Sequence, residues 1–489
     1  MKLLYFVRKK YSYIFIMCFV GLYLLFPSVN PVGDAYSNAY SSLWGEEMFR
    51  PHHLLYCFYG RVLLQIFGWV GIEPLVLLQY ANALVAGGCL LVLRRMIKRV
   101  NADEVFLSAA IAFGGSCFGF MRFATDNECY VLPLLFCLLA MYYMQIFLVR
   151  NSLGRVVKAA VCISLACLFH QLSILVWLCL FMVFLFDRHK KHLLIFLSIS
   201  LSVPLLYLLT TYGMNGELSL SGTLEFALHD YLSGEAGMPV LKQLVMLTAV
   251  GLLRSFVQLH GYVFGLFASY TAICIGILVI VFVFAVLGIA ALRNIKRRKL
   301  KLFQERRFVR MLWGVLLLTI AFAAFSNGNA EFMVIIPFIT IMLYVYYFES
   351  SRPVIWLSAA LLVWNISFAL YPNNAFHFEP DEELAELTKQ YPEAVFVLTN
   401  KPMVENICLY KFGKVNSQDL LHAQKYTKQQ YLKDKKENKI IITDVPNAVN
   451  ALSRAELTEK VVYRFEDITD KELLFGFESP KCKRRVYKL

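Results

Sequence analysis

The chain has 489 residues, 58% of them hydrophobic and only 17% charged, with a mean hydropathy of +0.57. Soluble domains carry about 45–50% apolar and about 25% charged residues, so a soluble enzyme along the whole length is excluded, as are disordered and collagen-like chains. The net charge of +14 is uneven: residues 372–489 hold 19 Lys/Arg against 18 Asp/Glu, and residues 1–371 hold 29 against 16. Basic loops between apolar runs follow the positive-inside rule, whereas a nucleic-acid binder would gather its charge on a soluble face.

A membrane-spanning helix needs about 20 apolar residues. Lys2 and Arg8–Lys10 precede a run from Tyr11 to Val29. This run is long for a signal peptide and lacks a small-residue cleavage site, so it predicts a retained first helix. Further spans are expected at 72–93, 104–123, 129–149, 192–211, 264–292, 309–326, 331–348 and 353–371. The stretch 157–186 has basic residues at both ends and His170-Gln171 near its centre, which predicts a hairpin of two short arms. A chain can turn at that depth only inside protein or beside a water-filled cavity. With that hairpin the spans number about eleven. The N-terminus is then cytoplasmic, and the basic clusters at Arg94-Arg95, Lys98-Arg99, Arg150–Lys158, Arg188–Lys191, Arg293–Arg310 and Arg352 face inside. Residues 52–68 and 240–258, with Arg61, Lys242 and Arg254, read as amphipathic helices on the outer membrane surface.

The polar tail alternates helix-like runs, Asp381–Tyr391 and Leu421–Asn438, with β-branched runs, Ala394–Leu398 and Lys439–Thr443. That alternation predicts a small extracytoplasmic α/β domain. The division is therefore 1–371, a transmembrane catalytic domain, and 372–489, a soluble domain. Ten of twelve cysteines lie in apolar stretches, where a thiol is ordinarily a small buried hydrophobe. No Cys/His metal spacing occurs, and Cys408 and Cys482 in the tail are the only two placed to pair outside the cytoplasm.

Polar residues at membrane depth are costly, and their presence points to function. Asp34 follows the first helix, where a carboxylate near aromatics can serve as a general base. Pro51-His52-His53-Leu54-Leu55-Tyr56 opens a surface helix; adjacent histidines diverge on a helix and make a poor metal pair, but one can bind an anionic ligand. Arg122 lies beside Asp126-Asn127-Glu128 in an outer turn, and its planar guanidinium suits a phosphate. Glu331, in Asn327-Gly328-Asn329-Ala330-Glu331-Phe332, opens a long apolar run. Arg254 and His260 sit where a lipid phosphate would lie. Each of these also has an ordinary reading: a solvated loop, turn chemistry or headgroup contact. The pointer to function is their convergence on one membrane face beneath a soluble domain.

This order of features resembles the GT-C superfamily of polytopic glycosyltransferases, among them protein O-mannosyltransferases and aminoarabinose transferases, which use a polyprenyl-phosphate-linked sugar. The matching features are an acidic residue after helix one (Asp34), a His/Pro segment with Leu and Tyr (Pro51–Tyr56), a helix running from Glu73 to Arg94-Arg95, and the Asn329–Pro337 turn. Two departures stand out: Asp34 has no acidic neighbour before Glu46-Glu47, and the family's His-Pro-Pro run is Pro51-His52-His53. The resemblance covers about residues 1–350. It implies an inverting transfer to a hydroxyl of a lipid, glycan or protein, with Asp34 as base and Arg122, Arg254 and His260 on the donor phosphate. His52, His53, Asp126, Glu128 and Glu331 would hold acceptor or donor. No metal is required, although a divalent ion is compatible. The implied location is the bacterial inner membrane with a periplasmic tail. The competing classes are an O-antigen ligase or polymerase-like enzyme using a polyprenyl diphosphate, a lipid or solute transporter, and a non-catalytic scaffold.

Overall fold

The structure, a computed structural model, describes residues 11–187, 189–232, 243–259, 261–293, 295–300, 302–445, 449–450, 465, 468 and 471–489. Lys2, Arg8–Lys10, Arg188, Lys242, His260 and Lys301 lie outside the described residues.

The helices before the tail are α1 (Tyr11–Leu25), α2 (Gly33–Trp44), α3 (Tyr56–Phe67), α4 (Pro74–Lys98), α5 (Glu104–Ser116), α6 (Phe118–Ala124), α7 (Val131–Arg150), α8 (Leu153–Phe169), α9 (Ile174–Leu185), α10 (Lys190–Ser200), α11 (Ser202–Asn215), α12 (Leu220–Ala227), α13 (Leu244–Arg254), α14 (Tyr262–Ser269), α15 (Thr271–Leu292), α16 (Phe303–Phe325), α17 (Ile336–Tyr347), α18 (Arg352–Asn365) and α19 (Tyr371–Ala375). Among the described residues seven helical segments are long and apolar enough to cross a membrane, and eight if the bent pair α5–α6 is one span. The expected span 104–123 is thus broken: α5 and α6 meet at a 71° bend at Cys117. The 264–292 span is likewise two helices, α14 and α15. Leu278, Phe282 and Ile289 of α15 are exposed. So apolar a surface is stable only against lipid.

The chain turns at His170, as the hairpin reading expects. The residue is extended (φ −160°, ψ 124°), and its Nδ1 accepts the Leu172 amide at 3.1 Å. A buried ion pair fixes the opposite end of the bundle. Arg94 donates to Glu104 at 2.7 Å and to the Ser12 hydroxyl at 2.5 Å, joining α1, α4 and α5. Glu73 caps α4 by accepting the Val76 amide at 3.0 Å.

The tail contains α20 (Asp381–Gln390), β1 (Val395–Leu398), α21 (Lys401–Phe412), β2 (Asp419–His422), α22 (Lys428–Lys436), β3 (Ile441–Thr443), β4 (Val449–Asn450), β5 (Glu472–Glu478) and β6 (Cys482–Lys488). The strand order is β2-β1-β3-β6-β4, with β5 also on β6. β1 runs parallel to β2 and β3, and β6 antiparallel to β3, β4 and β5. The α/β expectation holds, but Leu421–Asn438 is not one helix. Its first residues complete β2, and α22 starts after the Thr427 cap, whose capping box with Gln430 fixes the start. Cys408 and Cys482 are both free and buried.

The tail is not an appendage. Tyr36 and Ala39 of α2 and Leu75 and Leu78 of α4 share one buried cluster with Phe396, Ile407 and Tyr410 of the tail. Hydrogen bonds cross the same seam: Tyr36 to Glu382 at 2.6 Å, Asn406 to the Gly33 carbonyl at 3.1 Å, and Tyr410 to Glu73.

Candidate active site beneath the tail

Four separate segments converge where α2 begins. Asp34 lies in the first turn of α2, where unsatisfied backbone N–H groups favour a carboxylate. Its neighbour Ala35 accepts the Asn127 side-chain amide at 2.9 Å, which pins α2 to the turn between α6 and α7. That turn is held from below. Asn82 donates to the carbonyls of Asp126 (2.8 Å) and Glu128 (2.9 Å), and the Tyr56 hydroxyl bonds Asn127 and Glu128, each at 3.1 Å. Every group in this network is buried, so each hydrogen bond also averts a desolvation cost of about 1–3 kcal/mol.

The turn therefore presents its acids in fixed positions. Burial pushes the Asp126 carboxyl up to about 6, against the pull of Arg122 and of hydrogen bonds from Asn127, Gln79 and Val32. Burial pushes Glu128 up as well, and the nearby Glu331, Asp34 and Asp126 push it further while Arg122 opposes them. Glu331 faces the same space from the short helical turn Ala330–Met333. The Tyr130 hydroxyl donates to its carboxylate at 3.2 Å, and Asn329 donates to it at 3.4 Å. The sequence does not show that sequence-distant acids gather around Glu128, yet Asp34, Asp126 and Glu331 all lie within electrostatic reach of it, as does Arg122. Such an assembly can accept a proton at Asp34 and present hydrogen-bond donors and acceptors around it.

Arg122 and Arg254 each lie within electrostatic reach of the Tyr262 hydroxyl. Backbone bonds from Phe118 to Phe256 (3.0 Å) and from Gly119 to Ser255 (3.2 Å) fasten α6 to the end of α13. His260 falls outside the described residues. Arg122 also lines a cavity of about 380 Å³ between the helices and the tail.

The histidines are drawn elsewhere. His52 bonds the Gln171 side-chain oxygen Oε1 through Nδ1 at 3.2 Å. Gln171 in turn donates to the carbonyls of Pro51 (2.7 Å) and Ala227 (2.9 Å), so this pair docks the 51–55 loop onto the break at His170. His53, by contrast, stands near the acids. Its Nδ1 is 3.7 Å from the Cys129 thiol, and burial with the neighbouring His170, Arg50 and His52 lowers its pKa. Ligand atoms of His53, Cys129 and His170 lie within 4.8 Å of one another. The trio is a poor metal site, because the Leu172 amide occupies His170 Nδ1 and the neutral ring then carries its proton on Nε2. Sequence reasoning missed Tyr56, Gln79, Asn82 and Asn127 as the scaffold of the site. The available signal was Gln79 and Asn82 inside an otherwise apolar span.

No family model and no curated protein sequence matches the chain. Solved structures do. The oligosaccharyltransferase of Archaeoglobus fulgidus, tethered with an acceptor peptide containing the NVT sequon, superposes with a TM-score of 0.51 at 12% identity, over 90% of this chain and 70% of that one. ArnT from Cupriavidus metallidurans bound to undecaprenyl phosphate gives 0.41 at 11% identity over 97% of both chains. The Archaeoglobus enzyme AglB with an inhibitory peptide and a dolichol-phosphate gives 0.43 at 11% identity, over 90% of this chain and 70% of that one. The chain has a GT-C-like fold: a helical membrane bundle carrying a small C-terminal sheet domain.

Proposed function

We propose that the chain is an outward-facing membrane glycosyltransferase that moves a sugar from a polyprenyl-phosphate donor to a hydroxyl of a lipid, glycan or protein, with inversion. The observation that carries this reading is the convergence of Asp34, Arg122 and Glu331, from three segments, on Glu128. The GT-C-like fold and the resemblance in the order of sequence features support it.

In this reading Asp34, exposed in the first turn of a helix, removes the acceptor proton. The acceptor oxygen attacks the anomeric carbon as the phosphate oxygen departs with the bonding electrons. Arg122 and Arg254, with His260, neutralise the departing phosphate, which as a stable anion needs no protonation. Glu331, His53, Asp126 and Glu128 hold substrate hydroxyls, and His52 fixes the loop that carries His53. The transfer as proposed does not require a divalent cation. This reading takes about eleven spans with the basic loops inside, so that the site and the 372–489 domain lie on the outer face of a bacterial inner membrane. The 1–371 and 372–489 units then serve as catalytic bundle and substrate-covering domain.

The test is transfer of a labelled sugar from an endogenous polyprenyl-phosphate pool in membranes holding matched amounts of wild type, Asp34→Asn and Arg254→Ala. Loss of a general base costs about 10²–10⁴-fold, and that drop is expected for Asp34→Asn. Full activity in Asp34→Asn with loss in Arg254→Ala would overturn the assignment in favour of the polyprenyl-diphosphate ligase class. Transport without any glycosyl product would overturn it in favour of a transporter.

A further inference from the structure

The cavity of about 380 Å³ is lined by both parts of the molecule. Its floor is Arg122 with Gly33, the residue next to Asp34, and its roof is Asp381, Asn400 and Lys481 of the tail. The size lies within the usual range for small-ligand sites, about 300–1,000 Å³. The polar groups on its two sides are not equivalent.

On the floor, the Arg122 guanidinium makes no hydrogen bond or ion pair with any described residue, although it lies near Asp126 and Glu128. A half-buried arginine with open donors suits a phosphate. On the roof, Asp381 is 4% exposed. Its Oδ2 accepts the Asn400 amide at 3.0 Å, while its Oδ1 has no hydrogen-bond partner among the described residues. Its acidic neighbours are all satisfied. Glu379 pairs with Lys481 and Arg484, each at 3.0 Å, and Glu382 with Lys411 at 2.7 Å and with Tyr36. Arg484 is itself engaged by Asp444 at 2.6 Å. A buried carboxylate oxygen left open costs free energy that an incoming hydrogen-bond donor recovers.

We infer that this cavity holds the phosphorylated sugar headgroup of the donor, phosphate on Arg122, and that Asp381 determines specificity by accepting a hydrogen bond from a sugar hydroxyl or amino group. The inference rests on the transferase reading and adds to it a residue of the tail in contact with substrate. Asp381 takes no part in bond making. It positions the sugar.

Full-length protein in lipid nanodiscs would be titrated with glucose 1-phosphate, glucosamine 1-phosphate and inorganic phosphate, with binding read from the shift in thermal unfolding. This readout needs no turnover. Wild type is expected to bind at least one sugar phosphate more tightly than inorganic phosphate; the glucose and glucosamine arms separate a hydroxyl contact from an amino contact. Asp381→Asn should weaken the sugar phosphate about tenfold and leave inorganic phosphate unchanged, the loss expected for one hydrogen bond to a charged group. Arg122→Ala should weaken both. Asp381→Ala controls for an asparagine amide that finds a new partner. In turnover, Asp381→Asn should raise the half-saturating donor concentration about tenfold. An effect on acceptor saturation instead would overturn the donor assignment. Unchanged sugar-phosphate binding in both Asp381 variants, or no binding of any probe by wild type, would overturn the inference. If transfer persists in those cases, the transferase reading stands without it.

Discussion

At the scale of single residues, ordinary carboxyls acquire distinct properties from their surroundings. Asp34 stays at a helix start, exposed to water, while Glu128 is buried with Glu331, Asp34 and Asp126 in electrostatic reach. Asp381 offers a measurable case. Burial and Glu379 push it up to about 7, from an unfolded value of about 4. An acid with a raised folded value binds more protons when folded, so its favourable contribution is present below about pH 4 and is lost as pH rises through about 7. Asp381→Asn should therefore unfold at a higher temperature than wild type at pH 8 and at nearly the same temperature at pH 4. A constant difference across that range, followed by thermal unfolding, would contradict the assignment. Of the residues in the site, Asp34, Arg122, Glu128 and Glu331 are legible in the sequence because a charge beside an apolar span is conspicuous. Asp381 is not, because Asp-Glu-Glu-Leu at the start of an amphipathic helix looks like any solvated helix N-terminus.

At the scale of elements, the long spans are legible because lipid demands an apolar run of fixed length. The elements that build the site are not. Helix α2, Gly33–Trp44, is short and rich in Ser, Asn and Tyr. It is a helix because the tail and α4 bury its Tyr36 and Ala39 face, a tertiary effect that no local pattern displays. The break at Cys117 is invisible for a similar reason: the free N–H groups of Phe118 and Gly119 are satisfied by Phe256 and Ser255, far away in the chain. Close backbone contact also positions Glu331. A Cβ on Gly251 of α13 would overlap the Gly328 carbonyl, and Gly328 itself is left-handed at φ +67°. Gly251→Val should push α13 from the turn that leads to Glu331 and cut transfer tenfold or more, on the order expected of a displacement near 1 Å, while folding is retained. Wild-type turnover in a folded Gly251→Val protein would mean that this contact does not set the position of Glu331.

At the scale of the whole molecule, the boundary at residue 371 separates composition but not packing. Leu75, Leu78 and Tyr36, from the first hundred residues, lie in the same core as Phe396 and Ile407. The sequence shows where polarity changes; it does not show that a loop helix from the other end of the chain completes the tail. Cutting the chain after residue 371 should therefore do more than remove a cover. It exposes the apolar face of α2 and the start of α4, and the remaining bundle should aggregate or unfold at a lower temperature in detergent, as judged by gel filtration and thermal unfolding. A bundle that stays monodisperse with unchanged stability would show that the two parts are independent.

The central claim is the chemistry of the donor. Purified full-length protein in nanodiscs would be supplied with a polyprenyl-monophosphate sugar or the matching polyprenyl-diphosphate sugar, together with a lipid extract as acceptor, and loss of each donor followed over time. The monophosphate donor alone is expected to be consumed, with a glycosylated product of inverted anomeric configuration, and consumption is expected to stop in Asp34→Asn. Consumption of only the diphosphate donor, or of neither, would contradict the claim.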